Sequence, residues 1–222
     1  ILTSVFLVRF ILPLMLVWIL VPNISLSELI SSFTGSSSVA VEAIEQQKPL
    51  VLVFGGMFLV LVYFHWLFME KKHPLFLPEK LLKEHHDVWF FAFAAIFLVL
   101  LLYLSRSNPN MMLFAAIGSA TFFIVYGFKE VAEKTEAKLV RGGFSDASKF
   151  LYLEVLDATF SFDGVVGAFA FTTNLLYIFI GLGIGAIVLR QLTIMGISKI
   201  AKYRWLKNGA MTAIGFLGFF MI

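Results

Sequence analysis

Residues 150–173 form an apolar stretch that carries three acidic side chains and one hydroxyl: Glu154, Asp157, Asp163 and Ser161. Because the stretch is long enough to cross a bilayer, its charges would lie at membrane depth. On insertion scales, each charged side chain near the bilayer centre costs roughly 2.5 to 3.5 kcal/mol. The acids therefore need a compensating partner, such as a metal cation, an arginine or a proton.

The spacing of these residues predicts a common face. At about 100° per residue, Glu154, Asp157 and Ser161 share an arc of about 60° on a helix. Asp163 would point to the opposite side of an unbroken helix, but the glycine that follows it favours a local break that would bring it to the same face. Carboxylates, a hydroxyl and exposed carbonyls are hard oxygen ligands, which suit manganese, magnesium or calcium.

Other interpretations of the acidic stretch stay open. A proton relay would use the same carboxylates. In a purely structural interpretation, the acids only neutralise Arg9 and Arg190, which also lie in apolar segments. With both arginines counted, the charge within the spans is 2 − 3 = −1, so pairing and cation transport can coexist. Asp163 alone could instead be the N-cap of a helix that begins at Gly164.

The composition is typical of a membrane protein. Of the 222 residues, 60% are hydrophobic and 14% are charged, which lies outside the range of most soluble domains. Long unbroken apolar runs favour helices over a β-barrel. We predict an all-α, polytopic transmembrane helical bundle with seven spans. The spans are 2–21, 50–69, 88–104, 111–128, 150–173, 176–196 and 209–222.

The distribution of basic residues predicts the orientation of these spans. Lys48 and Arg106 are the basic residues between spans on one side, whereas the other side holds thirteen. These thirteen are Lys71, Lys72, Lys80, Lys83, Lys129, Lys134, Lys138, Arg141, Lys149, Lys199, Lys202, Arg204 and Lys207. The positive-inside rule makes their side cytoplasmic and places the loop with Glu28, Glu42 and Glu45 outside. The charge therefore reports topology, and no nucleic-acid partner is expected.

Two pairs of segments recur in the same order along the chain. Residues 5–13 resemble 186–194, which aligns Arg9 with Arg190, and residues 54–64 resemble 208–220. The matched spans run in opposite directions, so we predict an inverted repeat. The predicted units are 1–69, which lacks its first span, a central two-span linker at 70–149 with cytoplasmic loops, and 150–222. On this interpretation both ends look cut, and a second acidic span would precede the first residue.

Weaker patterns predict less. Four histidines could suggest a surface metal site, although a solvated helix start explains the adjacent pair as well; they are His65, His73, His85 and His86. The small residues in 181–186 indicate close helix packing, and the mixed charges of 129–141 indicate a solvated extension of a helix. The chain contains no cysteine, which excludes disulfides and thiolate metal sites.

The sequence resembles the TerC superfamily, in its branch of TerC-like integral membrane proteins that carries a domain-of-unknown-function label. The similarity lies in LYLEVLDATFSFDGVVGAFAFTTN (151–174), GLGIGA (181–186), VRFILPLMLVW (8–18), FGGMFL (54–59) and KYRWLKNGAMTAIG (202–215). The resemblance implies export of a divalent metal, manganese above all, across the bacterial plasma membrane, and an association with tellurium resistance. It assigns the metal ligands to Glu154, Asp157, Ser161 and Asp163, although Gly164 stands where the superfamily usually has asparagine.

We therefore expect a transporter rather than an enzyme, with no covalent cofactor and with manganese, calcium or magnesium as its cation. An intramembrane aspartyl protease is disfavoured because both aspartates lie on one span. The alternative is a non-transporting membrane scaffold of a metal or tellurium stress response that binds cytoplasmic proteins through residues 129–149. An anion pathway along Arg9 and Arg190 is a further alternative.

Overall fold

The structure is a computed structural model that describes residues 2–20, 25, 27–28, 42, 45–70, 86–139, 162, 164–172, 174–200 and 206–222. Most of these residues are helical, and none of them lies in a strand. The helices are α1 (Leu2–Leu20), α2 (Lys48–Met69), α3 (His86–Leu104), α4 (Pro109–Leu139), α5 (164–171), α6 (Leu175–Ile200) and α7 (Leu206–Met221). The all-α prediction is confirmed for this part of the chain.

The helices follow the apolar runs of the sequence. Long apolar runs favour helix wherever the backbone must satisfy its own polar groups, and neither Pro13 nor the glycines inside these runs interrupts the helices. Two helical segments are long and apolar enough to cross a membrane, namely Lys48–Met69 with 22 residues and Pro109–Phe128 with 20 residues. Helix α4 continues past Phe128 to Leu139, so the predicted helical extension is confirmed.

The chain forms two compact units. Unit 1 comprises Ile1–Val51 and Phe123–Tyr203, and unit 2 comprises Leu52–Phe122 and Arg204–Ile222. Each unit therefore combines segments that are far apart in the sequence.

Helix α2 forms the core of unit 2. It is apolar on every face, and 72% of its apolar segment is buried, against 22% for Pro109–Phe128. A helix that is hydrophobic all round is expected to be enclosed by other helices. Phe64 of α2 lies with its ring centre 6.2 Å from Phe93 and 5.7 Å from Phe97 of α3, and 6.2 Å from Phe219 of α7. Aromatic edges therefore surround the C-terminal half of α2.

Glycines bring α4 and α7 close to the α2 backbone. A Cβ atom at Gly118 of α4 would collide with the carbonyl oxygen of Phe54 and lie 3.3 Å from the Met57 Cβ. A Cβ atom at Gly218 of α7 would lie 2.9 Å from the Val60 nitrogen. Backbone approach through small residues is the usual way in which membrane helices pack. Larger side chains at these two glycines would separate the helices.

Helix α7 runs antiparallel to α2. Successive close approaches along the pair join Gly56 to Met221, Val60 to Gly218 and Tyr63 to Gly215. The pairing moves forward along α2 and backward along α7, which defines opposite directions.

In unit 1, hydrogen bonds of Thr172 and Asn174 mark the end of α5 and the beginning of α6. The Thr172 N–H donates to the Ala168 carbonyl at 3.2 Å, and the Asn174 N–H donates to the Thr172 hydroxyl at 3.1 Å. The Asn174 Oδ1 accepts from Leu176 N–H at 3.0 Å and from Tyr177 N–H at 3.4 Å. Asn174 is thus the N-cap of α6, because its side chain satisfies two N–H groups that the first helical turn leaves unpaired.

Candidate functional site

The predicted metal ligands lie outside the described residues. Glu154, Asp157, Ser161 and Asp163 all belong to this group, so the acidic face stays a prediction. Arg190 lies in α6, but its side chain is not described. Of the predicted site residues, Arg9 is described with its side chain, and Gly164, which follows the last predicted ligand in the sequence, is also described.

Arg9 lies in the middle of α1 and is partly buried against α6. Its Nη1 donates a hydrogen bond of 3.4 Å to the Leu182 carbonyl oxygen, which is long for an N–H···O bond. Its Nε is buried and has no hydrogen-bond partner among the described residues. A guanidinium carries five N–H donors and keeps its charge, so one long bond to a neutral carbonyl does not satisfy it. The position calls for a negative partner.

Proline adds a second polar feature at Arg9. Pro13 lies inside α1, four residues after Arg9, and has no N–H group. The Arg9 carbonyl oxygen therefore lacks the usual donor four residues further along the helix. This residue thus combines a permanent charge with a weakened point in the hydrogen bonding of its helix.

The start of α5 reaches the same residue of α6 as Arg9 does. A Cβ atom at Gly164 would lie 3.9 Å from the Leu182 Cδ2, which is ordinary van der Waals contact. Leu182 therefore accepts a hydrogen bond from Arg9 through its carbonyl, and its side chain lies next to the position that a Cβ atom at Gly164 would occupy. We call Arg9, Leu182 and Gly164 the Arg9 junction. Asp163, the last of the predicted ligands, directly precedes Gly164 in the sequence.

Helix α5 is firmly packed on the C-terminal side of the junction. Val165, Val166 and Phe169 are each at most 2% exposed. The side chains that follow Gly164 therefore anchor α5 in the interior of unit 1.

An aromatic pair lies beside the Arg9 junction. The rings of Phe10 and Phe179 stack with their centres 4.2 Å apart and their planes inclined by 30°. Phe10 follows Arg9 in α1, and Phe179 lies one turn before Leu182 in α6, toward Asn174. The pair therefore joins α1 to α6 between the charged residue and the polar end of α6.

Two weaker patterns in the sequence, the histidines and the glycines of residues 181–186, can be compared with the described structure. His65 is 7% exposed and packs edge-on against Phe90 with ring centres 5.5 Å apart, so this histidine is not available to the surface metal site that the sequence only weakly suggested. No group of three or more metal-ligating side chains occurs within the described residues. Gly181 and Gly185 have no atom within 4 Å of their Cβ positions in the described structure, so the expected close packing does not occur at these two residues.

Sequence reasoning missed three features of the junction. The role of the Leu182 carbonyl as an acceptor could not be predicted, because every residue has a backbone carbonyl, whatever its side chain. The Phe10–Phe179 stack could not be singled out, because the chain contains 26 phenylalanines and the sequence does not show which of them meet. Pro13 was readable, since a proline four residues after a charged residue in an apolar run always removes that residue's helical hydrogen bond.

Comparison with known proteins gives one informative match. No curated protein and no solved structure shows significant similarity to the chain. The model of the family described as Protein of unknown function (DUF475) matches residues 1–222. Because this match spans the whole of the given sequence, the chain belongs to the DUF475 family.

Proposed function

We propose that this protein is a multi-pass transporter of the bacterial plasma membrane that exports a hard divalent cation, manganese above all. The cation would bind to Glu154, Asp157, Ser161 and Asp163, with Arg9 and Arg190 as their charge partners. One observation carries the proposal: Arg9, whose charge lacks an anionic partner in the described structure, bonds to Leu182, and the Leu182 side chain lies near Gly164, the residue after Asp163 in the sequence.

Exposed apolar surface supports the multi-pass membrane topology. Helix α3 exposes a continuous set of apolar side chains, and α7 exposes Phe216 and Phe220 to 62% and 86%. Contiguous apolar patches of this kind are rare on soluble monomers and common on surfaces that contact lipid. The exposed apolar residues of α3 include Val88, Phe91, Ile96, Val99, Leu100 and Leu104.

Helix pairing supports an inverted repeat. The sequence matches the first span with the sixth and the second with the seventh, and these are the helices that pack together: α1 with α6, and α2 with α7. Helices related by a two-fold axis in the membrane plane run in opposite directions, as α2 and α7 do. The resemblance to TerC-like proteins favours the same architecture and adds the metal as cargo.

Charge balance supports a cation as the cargo. Glu154, Asp157 and Asp163 carry three negative charges, and Arg9 and Arg190 return two positive charges. The sum is 2 − 3 = −1, so an excess of negative charge remains for a bound cation to offset. Because charges at membrane depth are stable only when compensated, such a site can alternate between protonated and metal-bound states as it opens to either side.

A flux measurement tests this proposal. The full chain is placed in liposomes that contain a manganese-quenched dye. We expect manganese entry above that of protein-free liposomes, reduced by at least roughly tenfold when Asp157→Asn and Asp163→Asn are combined. The matched control is Glu42→Gln combined with Glu45→Gln, which changes two exposed carboxylates and should leave flux intact. A folded aspartate variant with full flux would overturn the proposal.

The same flux measurement distinguishes transport from the alternative of a non-transporting scaffold. Helix α4 extends eleven residues past Phe128 with mixed charges, which a cytoplasmic partner could bind. A scaffold predicts no flux in any variant, together with a partner that is lost when the charges of 129–139 are reversed. Flux that depends on the aspartates excludes a scaffold as the main role.

A further inference from the structure

The exposed side of α3 ends at an arginine, and from this we infer that α3 binds one anionic phospholipid along its length. The lipid phosphate lies at Arg106 and Tyr103, and the acyl chains follow the exposed apolar side chains of α3. This inference goes beyond the proposed transport and depends only on the location of the protein in a membrane. On the orientation predicted from the basic residues, the lipid belongs to the outer leaflet.

Four side chains of similar exposure form a stripe along α3. At about 100° per residue they lie within an arc of about 80°. Each is 62 to 66% exposed, and they are Val88, Ile96, Val99 and Tyr103. We call them the α3 stripe.

The length and the ends of the α3 stripe match a bilayer. At about 1.5 Å per residue it is about 22 Å long, which covers most of the roughly 30 Å of the hydrocarbon core. Trp89 is exposed near one end, and Tyr103 is exposed at the other. Aromatic residues with a polar atom are typical of both membrane interfaces. The stripe therefore faces acyl chains, and Tyr103 lies at the level of the headgroups.

Arg106 adds a charge at this end of the stripe. The last turn of α3 closes with the Arg106 N–H donating to the Tyr103 carbonyl oxygen at 3.3 Å. The exposed guanidinium lies over the Tyr103 ring, with its Cζ 4.9 Å from the ring centre. Its Nη1 donates to the Tyr103 hydroxyl at 3.4 Å, so the proton of that hydroxyl is directed elsewhere. The pair can thus offer charged N–H groups and one O–H group to a phosphate.

The backbone at the start of α4 is already bonded. The Asn108 Oδ1 accepts from the Asn110 N–H at 3.1 Å and from the Met111 N–H at 3.4 Å. These bonds satisfy two of the N–H groups that the first turn of α4 leaves open. We therefore assign binding of the phosphate to the side chains of Arg106 and Tyr103.

Charge selects the occupant of the α3 stripe. Arg106 is the only charged residue in 88–128, so this segment has no carboxylate to receive the ammonium group of a zwitterionic lipid. Phosphatidylglycerol carries one negative charge and no ammonium group. A second copy of the chain fits less well, because two copies share one orientation in a membrane, and pairing along the stripe would bring two Arg106 side chains together.

Native mass spectrometry of the full chain tests the inference by measuring the Kd of individual lipids. We expect phosphatidylglycerol to bind about tenfold more tightly than phosphatidylcholine with the same acyl chains. Arg106→Gln should bring the two Kd values close together. Tyr103→Phe keeps the ring and removes the hydroxyl, and it should reduce the preference by about threefold.

The matched control is Lys48→Gln, which removes an exposed basic residue at the start of α2 and should leave the preference intact. Glycerol phosphate carries the charged group without acyl chains and should not displace the lipid at equal concentration.

Three results would overturn the inference. The first is an unchanged preference in Arg106→Gln, or an equal loss in Lys48→Gln, which would indicate unspecific attraction. The second is displacement by glycerol phosphate, which would indicate a site for a free phosphate. The third is a lipid-free dimer that Val99→Trp disrupts, which would assign the α3 stripe to a second copy.

Discussion

Two pairs of apolar helices in this molecule are held together in different ways. In unit 2, α2 and α7 approach through Gly56 and Gly218, where a Cβ atom would lie 2.9 Å from backbone atoms of the partner helix. In unit 1, α1 and α6 meet through Arg9 and a stacked pair of phenylalanines, while Cβ atoms at Gly181 and Gly185 would meet no other element within 4 Å in the described structure.

The difference separates stability from function. Glycine contacts allow the close packing that stabilises helices in lipid, where burial of apolar surface provides no driving force. A buried arginine costs free energy unless an anion compensates it. The α2–α7 pair is therefore suited to a fixed scaffold, and the α1–α6 pair is suited to a site whose partner ion changes.

The largest effect on stability is expected where glycine meets backbone. Gly118→Ala should lower the free energy of unfolding by roughly 2 kcal/mol or more, because the carbonyl of Phe54 cannot move aside as a flexible side chain can. Unfolding of the full chain in a titration with sodium dodecyl sulfate measures this. Gly127→Ala on the same helix is the control, because a Cβ atom at Gly127 would meet no other atom within 4 Å in the described structure. It should change the free energy of unfolding by less than about 0.5 kcal/mol. Equal effects at the two glycines would contradict the scaffold role.

An intermediate effect is expected at the beginning of α6 in unit 1. Asn174→Ala removes the side-chain cap of α6 and should cost about 1 kcal/mol in the same unfolding measurement. Asn110→Ala changes an exposed asparagine in the first turn of α4 and serves as the control. A loss at Asn174 as large as that at Gly118 would show that unit 1 is as tightly packed as unit 2, which would remove the contrast between them.

The smallest effect concerns the loop that follows α1. The backbone N–H and the hydroxyl of Ser25 each donate to the Glu28 carboxylate at 2.8 Å, and they hold the pKa of Glu28 below its ordinary value of 4.5. The Glu28 N–H donates back to the Ser25 hydroxyl at 3.2 Å, which completes a capping box. Because the folded pKa is depressed, this contribution is fully present above pH 4.5 and disappears as the pH falls through the lowered pKa.

Substitution of the serine tests this local device. Ser25→Ala should raise the pKa of Glu28, as followed by carbon NMR of the labelled carboxyl group. Ser27→Ala retains both donors to the carboxylate and should leave the lowered pKa in place. An unchanged pKa in Ser25→Ala would refute the capping box, and no change in cation binding is expected from either variant.

The positions of the helices could be predicted because apolar runs of spanning length leave the backbone no alternative. The glycine contacts could not, since they depend on how each helix is rotated: the sequence favoured packing at Gly181 and Gly185, whereas it occurs at Gly118 and Gly218. The composition of a segment does not reveal which of its faces meets another helix.

The candidate site likewise has one feature that the sequence could predict and one that it could not. Arg9 stood out in the sequence because a charge in an apolar run must have a partner. Its contact with the Leu182 carbonyl did not, because that depends on the register between α1 and α6. Residue types therefore indicated that Arg9 needs a partner, and the three-dimensional structure was required to find that Leu182 links it to Gly164.

The most direct test of the central claim is the position of bound manganese in crystals of the full chain, measured by anomalous scattering at the manganese absorption edge. We predict a peak at the Arg9 junction, with the carboxylate of Asp163 and at least one further acidic oxygen about 2.0 to 2.6 Å away. A structure in which guanidinium groups fully engage these carboxylates, with no manganese and no space beside Leu182 to admit it, would contradict the account.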